Sequence, residues 1–240
     1  LEVSKKVKGL DVSNAEKKER ITKLLEEDLW GIDATEELVQ FCKINLIIHG
    51  DGYKNIHHRD SLSKRDPLNK ELDGTFDVVV ANPPFDLPSE HLKGVIDHYE
   101  LYKRFEYKGA DVLFLERCYE LCKPGGRIGI VVPHRFIDGD SFDNLRQWIL
   151  DNTIPKAVIG LPLGTFKPFG GSNARTEILY LRKPKDELER KGHTLMATVR
   201  NVGFELGIQE YKRIPVNDLD VISTSEQFTK LKDEEKTLYS

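Results

Sequence analysis

Phe76-Asp77-Val78-Val79-Val80-Ala81-Asn82-Pro83-Pro84-Phe85 is the stretch on which the reading of this chain turns. Four apolar, mostly β-branched residues follow an aspartate, the composition of a strand buried on both faces. The strand must stop at Asn82-Pro83-Pro84, because neither proline carries a backbone N–H for a sheet ladder. Each proline also holds the residue before it in extended geometry. The result is a stiff loop at a strand's carboxyl end that presents an amide, Asn82, and an aromatic ring, Phe85. Ligands of open α/β sheets bind at that end. An amide oxygen and a proline-constrained carbonyl can accept hydrogen bonds from an exocyclic amine, and Phe85 can stack on a flat ring. A proline-rich surface turn would read the same over these four residues, so the flanking segments decide.

Upstream, Leu29-Trp30-Gly31-Ile32-Asp33 reads as a short strand ending in an acid. Thr35 opens a helix with Leu38, Val39, Phe41, Cys42, Ile44, Asn45 and Ile48 on its apolar side, closed by Gly50. A carboxylate at such a strand end can accept from two vicinal ribose hydroxyls. Capping the helix would use the same oxygens of Asp33, and spacing does not separate the two roles. Asn55 to Leu62 gives a third short strand and a second acid, Asp60, which suits either an adenine amine or a turn. His57 and His58 are adjacent, point to opposite faces and read as structural. A further helix runs from the Ser13 cap, with Glu16 at capping-box distance, to about Glu27, with Ile21, Leu24 and Leu25 inward. Leu1 to Leu10 reads as the tail of another helix.

Downstream of the organising strand, Asp86 to Lys108 alternates aromatic and basic residues (Tyr99, Tyr102, Phe105 and Tyr107 among Lys103, Arg104 and Lys108). Such a segment can hold an extruded base or a phosphate, or be a solvated loop. Gly109 to Lys123 is a helix that stops at the Pro124-Gly125-Gly126 turn before a strand from Arg127 to Val132. Asn144 to Leu150 is helical, and Lys156 to Leu161 and Thr176 to Leu181 are strands, the latter after a Gly170-Gly171 turn. Ser63 to Gly74 reads as a charged loop. This alternation predicts a doubly wound, largely parallel α/β sheet over residues 1–184. Beyond the charged linker at Lys185 to Lys191, residues 185–240 form an extension with a small β unit near 194–204 and a helix at Glu226 to Lys232.

The chain has 240 residues, 39% of them apolar and 32% charged, and a net charge of −4, so any contact with DNA must come from a local basic patch or a more basic partner. Its three cysteines are odd in number and form no CxxC, which suits a reducing cytoplasm without a disulfide framework. Cys118 and Cys122 read as two core thiols. No apolar run approaches the ~20 residues of a membrane span. Lys5, Lys6 and Lys8 lead into no apolar core, so the start does not read as a signal peptide.

Taken in order, Gly31-Ile32-Asp33, Asn45-Leu46, His49-Gly50, Arg59-Asp60-Ser61-Leu62 and Asn82-Pro83-Pro84-Phe85 precede a second set. That set is Ala110 to Arg117, Lys123-Pro124-Gly125-Gly126-Arg127, Val131-Val132-Pro133, Leu161-Pro162 and Gly164-Thr165-Phe166. Asn82 to Phe85 resembles the catalytic motif of N6-adenine DNA methyltransferases. The whole series, over residues 29–184, resembles the modification (methyltransferase) subunit of type I restriction–modification systems. The resemblance implies a Rossmann-like S-adenosylmethionine-dependent methyltransferase sheet with flanking helices. It implies Asp33, with Ile32, on the cofactor ribose, Asp60, with Ser61, on the cofactor adenine, and Asn82, Pro83, Pro84 and Phe85 at the target adenine, with Asn82 also beside the cofactor. It implies no metal. The implied partners are double-stranded DNA with a flipped adenine and the specificity and restriction subunits of a type I complex.

That family has a Gly-rich turn for the methionine part of the cofactor just before a helix like Leu1 to Leu10. The chain is therefore expected to begin just after it, without the first strand of the sheet, and to bind cofactor weakly by itself. Two other readings stay open: a methyltransferase of protein glutamine or RNA, whose related motifs usually carry Tyr in place of Phe85, and a non-catalytic assembly module. The long segment after the motif and the C-terminal extension favour DNA.

Overall fold

The computed structural model describes residues 13–48, 53–85, 87–167, 173–186, 189, 192–200, 204–206 and 211–213. They belong to two compact units divided in sequence between Ser63 and Lys64. The expected helices at Leu1 to Leu10 and Glu226 to Lys232, the closing Gly50 and the Gly170-Gly171 turn lie outside the described residues.

In the first unit, helix α1 (Asn14–Lys23) starts as its sequence dictates. Ser13 Oγ accepts from the Glu16 N–H at 3.2 Å, and Arg20 pairs with Glu16 one turn on. The helix widens into a π-type turn at Leu24–Asp28. Strands β1 (Gly31–Asp33) and β2 (Ile56–His58) pair in parallel, Asp33 opposite His58, with helix α2 (Glu36–Ile48) between them in sequence. The apolar face expected on α2 is not buried. Only Val39 is covered, while Leu38, Phe41, Ile44 and Ile48 are exposed. The cause is size: a 13-residue helix is about 20 Å long, and two three-residue strands cannot cover it.

The second unit is built on a five-stranded sheet in the order β3-β4-β6-β5-β7. Its strands are β3 (Phe76–Ala81), β4 (Cys122–Pro133), β5 (Ile154–Leu161), β6 (Thr176–Arg182) and β7 (Leu195–Thr198). Its helices are α3 (Pro67–Glu71), α4 (Glu100–Phe105), α5 (Ala110–Leu121), α6 (Arg135–Asp138) and α7 (Asp143–Asn152). β3 runs parallel to β4 and β5 to β7, but β6 is antiparallel to both its neighbours. The sheet is thus mixed: β3, β4, β5 and β7 run one way, as expected of a largely parallel sheet, and β6 runs against them. An antiparallel neighbour needs no crossover helix. The β residues expected near 194–204 divide between β7, which extends this sheet, and β8 (Phe204–Leu206), which pairs with β9 (Tyr211–Arg213).

The core lies on one face of the sheet. Val112, Leu115 and Cys118 of α5 and Leu145, Trp148 and Ile149 of α7 pack on Ile128, Ile130 and Val132 of β4 and on Leu179 and Leu181 of β6. Strand β3 is an edge strand with one covered face, which corrects the expectation of burial on both. Val79 and Ala81 meet the core, whereas Val80 is 80% exposed and Val78 47%. A run of valines is compatible with either; side chains alternate across a strand, and what covers each face is a tertiary matter. Gly125, at φ +79°, lies within β4 where its register against β3 shifts, between the Phe76–Cys122 and Val78–Arg127 pairs. A Cβ on Gly126 would stand 3.0 Å from the Asp77 carbonyl oxygen, so the close approach of the two strands requires glycine there. The Ser63 to Gly74 loop contains α3, with Pro67 in its first turn and Asp66 accepting from the Leu68 N–H at 2.9 Å. Cys118 and Cys122 are buried free thiols, and burial pushes Cys118 up to about 12.

Candidate active site

The ladder of β3 ends at Ala81, opposite Ile130 of β4, as the two prolines demand. Pro83 is buried, Pro84 exposed and Phe85 half-buried. Asn82 is exposed, and its side chain makes no hydrogen bond to any described residue. An open amide therefore stands at the carboxyl end of the edge strand, on a loop anchored by the buried ring beside it.

The segment after this loop is exposed over much of its length but pinned at buried anchors. Tyr99 and Leu101 have no exposure, and Leu92 has 3%. The buried carboxylate of Glu116 on α5 accepts from the N–H groups of Glu100 and Leu101, at 2.7 and 2.8 Å, and so caps α4. Lys64 places its ammonium 4.0 Å from the Tyr99 ring centroid, donates to the His98 carbonyl at 3.1 Å and pairs with Glu116 and Glu120. Tyr107 stacks on Phe142 at 5.3 Å, and Phe142 on Phe136 at 5.4 Å. Tyr99 and Tyr107 are thus committed to packing rather than to a base. Lys64 and Glu116 went unseen in the sequence; the one signal was Glu116 and Glu120, one turn apart on a helix whose other face is apolar.

In the first unit, Asp33 and Asp60 come to the same end of the parallel pair. Asp33 closes β1, and its backbone carbonyl accepts from the Arg59 N–H at 2.9 Å. Its Oδ1 accepts from the Thr35 N–H at 2.7 Å, and its second oxygen has no partner among the described residues. Asp60 Oδ1 accepts from the Leu62 N–H at 2.9 Å. Both acids therefore brace tight turns two residues on, while Asp33 keeps an oxygen open. Ile32 and Ser61 are half-buried beside them. An exposed carboxylate with a spare acceptor and a second exposed carboxylate nearby fit the diol and amine of an adenosyl group. His57 packs on Trp30 at 5.5 Å and His58 Nε2 lies 3.0 Å from the Ala34 carbonyl oxygen, so both are structural. Asn82 to Phe85 belong to the second unit.

Beyond the end of β4 lies a polar cluster that the sequence did not announce. Asp111, wholly buried in the first turn of α5, pairs with Arg135 and accepts from the Val112 N–H at 3.0 Å. Burial raises its carboxyl above the usual range against the opposing pull of Arg135. His134 lies between Glu177 and Asp138. Burial likewise raises Glu177, and its Oε2 has no partner among the described residues.

The sequence profile of the N-6 DNA methylases matches residues 9–238. The chain belongs to the N-6 DNA methylase family. Among curated relatives, it is 32% identical over 114 residues to the type II restriction enzyme and methyltransferase RM.Eco57I of Escherichia coli, covering 45% of this chain and 11% of that one. It is 28% identical over 165 residues to the type I restriction enzyme EcoEI methylase subunit of Escherichia coli, covering 67% of this chain and 31% of that one. The chain thus spans about a third or less of the length of these relatives. Its fold is similar to a solved modification subunit, assigned to a type I restriction enzyme of Vibrio vulnificus YJ016. The TM-score is 0.61 at 22% identity, over 88% of this chain and 40% of that one. As a member of the N-6 DNA methylase family, the chain carries its Asn-Pro-Pro-Phe loop at a strand's carboxyl end, with the amide open.

Proposed function

We propose that the chain is the catalytic part of a type I modification subunit that transfers a methyl group from S-adenosylmethionine to N6 of an adenine in double-stranded DNA. The observation that carries this reading is the unengaged Asn82 amide at the end of β3 in a member of the N-6 DNA methylase family. Residues 1–184 hold the catalytic domain and 185–240 an extension. A specificity subunit selects the site, and a restriction subunit completes a cytoplasmic complex. Among the described residues, no helix is long and apolar enough to cross a membrane.

The difficulty of the reaction is a weak nucleophile, since the N6 lone pair is delocalised into the adenine ring. Bound S-adenosylmethionine supplies an electrophilic methyl group on its sulfonium. Asn82 Oδ1 and the Pro83 carbonyl accept from the two N6 hydrogens and draw density onto the nitrogen as it attacks. The proton leaves N6 for solvent after transfer. Rate enhancement then comes from positioning and from acceptors fixed before the charge develops. Adenine must leave the duplex to reach the loop, and Phe85 replaces its lost stacking. Pro84 keeps that ring in place. Asp33 and Ile32 hold the cofactor ribose, and Asp60 and Ser61 its adenine.

The test is methyl transfer from labelled cofactor by the full-length protein with its partner subunits. N6-methyladenine in duplex DNA is the expected product. Label in protein glutamine or RNA, with none in DNA, overturns the reading, as does the absence of any transfer.

A further inference from the structure

We propose that Arg135, held by the buried Asp111, is a fixed contact for a DNA backbone phosphate beside the target adenine; this rests on the function proposed above. Arg135 opens α6, two residues past the end of β4. β4 is the parallel neighbour of β3, so Arg135 and Asn82 lie beyond the same end of adjacent strands. Its guanidinium is held twice. One nitrogen, Nη2, donates to Asp111, and the guanidinium carbon sits 5.9 Å from the centroid of the Phe142 ring. Phe142 is itself fixed between Tyr107 and Phe136.

Burial of Asp111 has two consequences. Its carboxylate has 0% exposure, so it gives up water for one cation and two short-range bonds; a buried charge left unpaired is strongly unfavourable. It also shows no negative charge to solvent, whereas the Arg135 side chain is 42% exposed. The remaining N–H donors of Arg135 have no other hydrogen-bond partner among the described residues. An arginine has five donors in a planar fork, which matches the oxygens of a phosphate. Arg104 makes the contrast. It too lies near a ring, 5.0 Å from that of Phe105, but its partner Glu100 is exposed and offsets its charge at the surface. On a chain of net charge −4, a cation whose counter-charge is hidden is the kind of local feature DNA contact needs.

The experiment measures DNA affinity of the full-length protein in its complex as a function of salt, by fluorescence anisotropy with a duplex carrying the recognised site. Loss of one phosphate contact lowers the slope of log K against log salt by about 0.9. Arg135→Gln should show that loss, equally for specific and unrelated duplexes. Arg135→Gln strands a buried carboxylate, so the double variant Asp111→Asn, Arg135→Gln, which leaves no unpaired charge, is measured beside it and should show the same loss. Arg104→Gln should keep the slope of the unaltered protein. An unchanged slope in the double variant, or an equal loss in Arg104→Gln, overturns the assignment to Arg135 while methyl transfer to DNA by the unaltered complex leaves the proposed function standing. Absence of that transfer removes both.

Discussion

Glu177 illustrates how single side chains in this protein carry two duties. Its Oε1 pairs with His134 where β4 ends, and its Oε2 is buried without a partner among the described residues. Burial raises its pKa above the ordinary value, with His134 and then Arg175 pulling it back and Asp138 adding to the rise. A carboxyl whose folded pKa exceeds its unfolded one binds more protons when folded. Its stabilising contribution is complete below the unfolded pKa and is lost as pH rises through the folded one. Asp111 and Glu120 are raised by burial as well and act in the same sense. Thermal melts of the Glu177→Gln variant between about pH 4 and pH 7 should therefore show a shallower loss of stability with rising pH than the unaltered protein. An unchanged slope would mean that Glu177 keeps an ordinary pKa. Nothing in the sequence marks this residue, because Thr176 to Leu181 reads as a strand whatever its second side chain faces. Asp33, by contrast, does not cap the helix that the spacing allowed it to cap: its Oδ1 accepts from the N–H of Thr35, the residue before Glu36–Ile48.

At the scale of elements, the alternation of side chains across a strand separates residues that the sequence cannot tell apart. Ile130 of β4 is wholly buried between α5 and α7, while Val80 of β3 is 80% exposed on the opposite face. Truncating a buried isoleucine to alanine removes its burial and leaves a cavity. Ile130→Ala should cost about 2–5 kcal/mol in chemical denaturation. Val80→Thr, which exchanges one exposed β-branched residue for another, should stay within about 0.5 kcal/mol. Equal losses would show that the outer face of β3 is covered in solution. Elements with strong local signals were legible: α1 from its Ser13 cap, α5 from its apolar spacing and β4 from its run after Pro124-Gly125-Gly126. The segment of α4 was not. Its start is capped by Glu116, which lies outside the window that any local pattern reads.

For the whole molecule, the two compact units divide the proposed labour, cofactor acids in one and the Asn82 loop in the other. In the full-length protein with its partners, Asp33→Asn keeps an acceptor for the Thr35 N–H but weakens the hold on a ribose. It should raise the Kd for S-adenosylmethionine in titration calorimetry. Asn82→Ala should slow single-turnover methyl transfer with little change in that Kd, and Phe85→Ala should weaken capture of the flipped adenine by about 1–3 kcal/mol. Reversal of the first two effects would exchange the roles assigned to the units. The order of motifs from Gly31 to Phe166 was enough to recognise an α/β methyltransferase, because each depends on local chemistry: prolines that end a ladder, an acid closing a strand, glycines that turn a chain. The sequence by itself therefore determined the family, the order of the main strands and helices apart from the short helices α3, α4 and α6, and the residues proposed for the site. Only the tertiary structure decided that β6 enters the sheet antiparallel, that β3 lies at an edge with Val78 and Val80 uncovered, that the Leu38 to Ile48 stripe of α2 stays exposed, and that Asp111 hides its charge beneath Arg135. Those outcomes depend on which residues, distant along the chain, cover or pair with a given side chain, and no local pattern of types and spacings contains that.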